Sequence, residues 1–149
     1  MKDRAFKEAS AETRYGFRNL VAWQKAQELV MSVIMISKQL PRDRATDVIV
    51  QQLLRSSMAI SANIAEGHGR FSAGAYRNHL SIARGSTAET ITWLDMLERG
   101  GYVTPAELQP VFTLCDEIMR LLSKHMIDLD KRTGTDRTLR DESVEYVIE

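Results

Sequence analysis

Cysteine, proline and long apolar runs are scarce in this sequence, and each scarcity removes a class of protein. The single cysteine, Cys115, excludes an intrachain disulfide framework and offers no paired thiols for a metal. A lone thiol suits a reducing compartment, so the cytoplasm is the expected location. No window approaches the roughly eighteen apolar residues of a membrane span. Residues 1–14 mix Lys, Asp, Arg and Glu without the apolar stretch of a secretory leader, so no membrane partner is expected. Charge of one sign is missing as well. The 20 basic and 20 acidic residues cancel, which leaves no whole-chain field to draw in nucleic acid. Any polyanion must be met by local clustering.

With only three prolines and eight glycines in 149 residues, punctuation is sparse. Between the breaks, apolar residues recur at three and four, the spacing of helices and not of strands. The pattern predicts an all-α protein, an up-and-down antiparallel four-helix bundle. A chain of this length suits one domain, with the bundle over 18–132 and flexible tails at 1–17 and 133–149.

The first helix is expected from an Asn19 N-cap to Leu40, where Pro41 forbids easy continuation. Its stretch Leu29 to Ile36 is apolar except at Ser32, more than one neighbouring helix can cover, and so points to a second subunit. The second helix starts between Asp43 and Asp47 and stops at Glu66, with Gly67 expected in the left-handed conformation that ends helices. Ile49, Leu53, Ser57, Ile60 and Ile64 form its core face. Arg55, Ala59, Ala62 and Glu66 form the opposite face, expected at a subunit contact.

The third helix runs from a Ser72 cap to Arg99, with Ile82, Ala83, Ser86, Thr90, Trp93 and Leu97 on one stripe, and Gly100-Gly101 ends it. Thr104-Pro105-Ala106-Glu107 combines an N-cap, a proline at the first helical position and a capping-box glutamate, and so starts the fourth helix. Pro110 is expected to kink that helix or to detach its first turn. Leu108, Phe112, Cys115, Ile118, Leu122 and Leu129 carry its apolar stripe.

Against this background one pattern is too particular to be helix filler. Leu20-Val21-Ala22-Trp23-Gln24-Lys25-Ala26, Arg55, Asn63-Ile64-Ala65-Glu66-Gly67-His68-Gly69-Arg70, and Leu80 through Arg84-Gly85-Ser86 to Glu89 occur in order. Together they resemble the bacterial four-helix bundle proteins first noticed as products of intervening sequences inside large-subunit ribosomal RNA genes. The resemblance spans roughly residues 17 to 130. It implies an up-and-down bundle that assembles into ring-like homo-pentamers. A more distant similarity, to accessory subunits that help a reverse transcriptase in diversity-generating retroelements, implies a link to RNA or DNA and a reverse transcriptase as a protein partner. The chain departs from the family at two points. It has Ala59-Ile60-Ser61 where relatives often show Ser-Ile-Pro, and it is neutral where the retroelement proteins are basic.

Several residues are candidates for a site. Arg70, Arg77 and Arg84 are spaced by sevens, about 20° apart on a helix that extends far enough back. With Arg55 they form the nucleic-acid-binding candidates, through phosphates and not base edges. The bland alternative is a solvated face. Asn63, Glu66 and Arg55 read as a polar network that holds helix ends or subunits together, with Gly67, Gly69, Ser86 and Glu89 as further structural positions. Gly85, costly inside a helix, is expected at a tight crossing against the second helix.

His68, His79 and His125 have no His or Cys three or four residues away, and no Glu-x-x-His motif occurs, so no metal site or cofactor is expected. Ser56, Ser57 and Ser61 lack a glycine elbow and a paired base. The leading expectation is a non-enzymatic homo-oligomeric scaffold or adaptor. The alternatives are a direct RNA or DNA binder using the four arginines around a ring, and a small-ligand site around Asn63, Glu66 and His79.

Overall fold

The computed structural model describes residues 15–133. A 3-10 turn, Gly16–Asn19, leads into four α-helices: α1 Val21–Gln39, α2 Arg44–His68, α3 Ala73–Arg99 and α4 Pro105–Thr133. Each helix packs on its sequence neighbours, and α1 closes the bundle against α4. This is the expected all-α four-helix bundle. Residues 1–14 and 134–149 of the two expected tails lie outside the described residues; Tyr15, Gly16 and Phe17 belong to the segment around the 3-10 turn.

Local chemistry explains most of the boundaries. Asp43 caps α2 by accepting the Thr46 amide at 2.9 Å while Thr46 Oγ1 accepts the Asp43 amide at 3.2 Å. Ser72 caps α3 through the Ala75 amide at 3.1 Å. Thr104 and Glu107 form the expected capping box, with Thr104 N–H donating to Glu107 Oε2 at 2.8 Å and Glu107 N–H to Thr104 Oγ1 at 3.2 Å. At the end of α3, Tyr102 N–H bonds Leu97 O and Gly101 N–H bonds Glu98 O, both at 3.0 Å. Gly101 takes φ +76°, where a side chain would be strained.

Three boundary expectations are corrected. Asn19 ends the 3-10 turn instead of capping α1, whose cap position is Leu20 without a side-chain bond. Gly67 does not stop α2. The helix runs on to His68, and Gly69 follows at φ −79°, a right-handed conformation. Pro110 does not detach the first turn as a separate piece, because α4 is continuous through it. As the sixth residue it removes an amide that would have reached only the exposed Ala106 carbonyl.

The core is aliphatic. Leu29 and Val33 of α1, Leu53, Ile60 and Ile64 of α2, Leu80, Leu94 and Leu97 of α3, and Leu108, Ile118 and Leu122 of α4 are fully buried. Each contributes about 1.5–3 kcal/mol. On α3 the expected stripe is rotated: Leu80 and Leu94 are buried while Ile82 is exposed. Between α2 and α3 the contact is made with small hydroxyl residues. Ser56, Ser57, Thr87 and Thr90 are buried, and their hydroxyls bond backbone carbonyls three or four residues back at 2.8–3.2 Å. Thr90 Oγ1 also lies 2.9 Å from Ser56 Oγ.

Candidate functional site

The motif residues converge where α2 meets α3. Asn63 Nδ2 donates to the Ala59 carbonyl at 2.8 Å, so its Oδ1 must accept. His79 Nδ1 lies 3.3 Å from that oxygen, which places the ring hydrogen on Nδ1. The other ring nitrogen faces Glu66 Oε1 at 4.0 Å. Glu66 in turn accepts from the Arg70 guanidinium at 2.7 Å. Arg55 of α2 pairs with Glu89 of α3 further up the same seam. Asn63 and Glu66 are thus linked through His79, while Arg55, expected in the same network, pairs apart from them with Glu89.

Gly67 makes this approach possible. It is buried, and a Cβ there would lie 2.6 Å from His79 Cβ, 2.9 Å from the Tyr76 ring and 3.3 Å from the Tyr76 carbonyl oxygen. The tight crossing expected at Gly85 is found here instead. Gly85 is exposed with nothing within 4 Å of a built Cβ, and its neighbour Ser86 is half-buried, its carbonyl accepting from Thr90. Gly69 follows α2, its amide bonding the Ala65 carbonyl at 3.3 Å.

The arginine row does not form as a row. Arg70 precedes α3, which begins at Ala73, and turns back to Glu66. Arg77 is half-buried and reaches Asp130 of α4 at 3.2 Å, whose side chain is 6% exposed. Arg84 donates to Ser123 Oγ at 3.0 Å. Three of the four candidates thus face a carboxylate.

The same end of the bundle holds a cluster that sequence spacing does not reveal. The Tyr76 ring stands edge-on to His68 at 5.9 Å and to His125 at 4.8 Å, joining α2, α3 and α4. A Cβ on Gly16 would touch the His68 ring at 3.0 Å, which brings the N-terminal 3-10 turn into the same stack. Burial pushes the Tyr76 hydroxyl up to about 12, and among the described residues it has no hydrogen-bond partner. Burial also lowers the His125 pKa, with Arg132 and His68 adding to the effect and Asp128 opposing it. The turn itself is stacked. Tyr15 lies 6.0 Å from Phe17, Phe17 lies 5.5 Å from Trp23, and the Arg18 guanidinium sits 5.0 Å above the Tyr15 ring.

The other candidate chemistry is structural in its contacts. Burial, then the neighbouring Asp116, pushes the Cys115 thiol up to about 12, so little thiolate forms at neutral pH. Ser61 accepts from Gln27 at 2.8 Å, tying α1 to α2. Among the described residues no three His, Cys, Asp or Glu side chains are grouped to hold a metal. An open groove between α1 and α4, lined by Gln24, Gln27, Met31, Pro110 and Leu114, lies away from Asn63, Glu66 and His79. No helix of the described residues is long and apolar enough to cross a membrane.

Comparisons with known proteins agree with this geometry. Residues 18–124 match the family described as 23S rRNA-intervening sequence protein. A crystal structure of a protein with unknown function from the S23 ribosomal protein family of Bacteroides thetaiotaomicron superposes with a TM-score of 0.67 and 30% sequence identity. The match covers 71% of this chain and 98% of that one. The search of curated proteins found no match.

Proposed function

The chain belongs to the 23S rRNA-intervening sequence protein family, and from that premise we propose that it is a non-enzymatic, homo-oligomeric scaffold or adaptor, assembled as a ring. The observation that carries this reading is apolar surface left uncovered on two separate faces. On α1, Met31 and Met35 are 55% and 56% exposed. On the outer α2–α3 seam, the Arg55–Glu89 pair sets the register, and helical spacing then places Met58, Ala62, Ile82 and Gly85 side by side. Met58 is 57% exposed and Ile82 46%.

Gly85 supports the same reading. A glycine inside a helix costs about 1 kcal/mol against alanine, and among the described residues nothing approaches Gly85 closely. A second copy of the chain packed on that seam supplies the close neighbour. Two unlike apolar faces suit a head-to-tail contact, which closes into a ring when the rotation permits. Five subunits is the number that the family resemblance implies. The engaged serine hydroxyls and the buried, protonated thiol favour a non-enzymatic role.

Light scattering on the purified protein at micromolar concentration tests this. The expected mass is near five times the 16.9 kDa chain, and Met58→Lys with Ile82→Lys lowers it while helicity is kept. A monomeric wild type overturns the proposal. The reading in which Arg55, Arg70, Arg77 and Arg84 bind phosphates around the ring is the weaker one, since Glu89, Glu66 and Asp130 already neutralise three of them.

A further inference from the structure

Along the bundle flanks the exposed apolar side chains are aliphatic or thioether, as Met31, Met35, Met58 and Ile82 are; Val21 and Ile127 carry this type to the end where α1 starts and α4 finishes, and Tyr102 is an exposed ring past α3. At the end where α2 passes to α3, two aromatic rings are exposed: Phe71 at 111% and Tyr15 at 46%. Phe71 packs against none of the other described residues. Tyr15 is held in place by Phe17 and Trp23 behind it, and the flat Arg18 guanidinium extends its surface.

The charge around these rings is cationic. Arg70 flanks Phe71 in sequence, and Lys131 and Arg132 occupy the last turn of α4. The Arg77–Asp130 contact puts that last turn level with the start of α3. Arg18, Lys131 and Arg132 have no carboxylate within ion-pair distance among the described residues, and the nearby Glu66 is already shared with Arg70. Exposed rings interleaved with guanidiniums match the π-faces and phosphates of unpaired nucleotides. A paired duplex offers phosphates but keeps its base faces stacked.

We propose that this end of the bundle is a binding surface for single-stranded nucleic acid, with a base stacked on Phe71, a second on the Tyr15–Arg18 platform, and phosphates held by Lys131 and Arg132. The residues differ from the four-arginine set, and the surface lies at one end of the bundle, apart from the flanks assigned to subunit contacts. In a ring of like-oriented subunits it recurs once per subunit, which multiplies weak contacts into useful avidity.

The test is fluorescence anisotropy of the full chain with labelled single-stranded RNA, single-stranded DNA, a DNA duplex, and phosphatidylserine vesicles, across a salt series, with oligomeric mass recorded for every variant. The proposal expects single strands to bind more tightly than the duplex and affinity to fall with salt by about 0.7 logarithmic units per phosphate engaged for each tenfold rise. Phe71→Ala weakens binding about tenfold without changing mass or helicity, and Phe71→Trp restores it. Arg18→Glu with Arg132→Glu abolishes binding, whereas Arg42→Glu, between α1 and α2 at the other end of the bundle, leaves it unchanged. RNA and DNA binding alike places recognition in bases and phosphates, and preference for RNA adds the 2′-hydroxyl. Absence of binding at low salt, equal affinity of Phe71→Ala, preference for duplex, or binding to vesicles alone overturns the proposal. Loss of assembly in Phe71→Ala also overturns it by reassigning the ring to a subunit contact. A monomer that binds single strands as described would remove the scaffold reading and leave this one standing.

Discussion

Gly67 and Gly85 lie on the two helices of one seam, both within the motif that marks the family, and their surroundings are opposite. Around Gly67 the α2–α3 contact is closed: His79 and Tyr76 stand where a side chain would be, and Arg77 is held against Asp130 nearby. Around Gly85 the same seam is open to solvent, with Met58 and Ile82 uncovered and the Arg55–Glu89 pair on the surface. One region is fastened within the chain; around the other, no contact among the described residues asks for a small residue. The contrast shows that one motif can hold a glycine fixed by packing beside a glycine that these packing contacts do not require.

The comparison can be pressed with substitutions. Arg77→Ala leaves Asp130 buried without this cation and is expected to cost about 3 kcal/mol in urea unfolding; an unchanged midpoint would break the claim that this end is fastened. Gly67→Ala forces a methyl into His79 and Tyr76 and is expected to cost about 2 kcal/mol. Gly85→Ala should instead stabilise the isolated fold by about 1 kcal/mol while lowering the oligomeric mass, so the two glycine variants move stability in opposite directions. Arg55→Ala, on the open side, should cost less than about 1 kcal/mol and lose its effect in high salt.

The smallest effect concerns pH. Because burial depresses the His125 pKa, the unfolded chain takes up that proton first as pH falls. Stability contributed by the neutral ring is therefore present above the unfolded value of about 6.5 and is lost as pH drops from there through the folded value. Urea midpoints at pH 7.5 and 5.5 should differ in that sense, and His125→Gln should narrow the difference.

What could be read in advance depended on the range of the interaction. The caps at Ser72 and Thr104–Glu107 were legible because both partners lie within three residues. The four helices followed from spacing alone. The choice between the two glycines was not legible, since it depends on which helix face turns inward, and the α3 stripe was rotated enough to put Ile82 outside. Arg77 looked like part of a surface row because Asp130, its partner, is 53 residues away. The Tyr76 stack draws on three helices and the turn before them, so no spacing rule announces it. Phe71 carried no expectation from the sequence, and only its lack of cover among the described residues gives it meaning.

The closure of α1 against α4 also has a consequence for synthesis. Of the four helices, α1 leaves the ribosome first and carries no side-chain cap of its own. One flank of it stays bare until α4, the last of the four, has emerged. Throughout that interval the Met31 and Met35 ridge is joined by the flank awaiting α4, and neighbouring nascent chains on one message present the same sticky surface to each other.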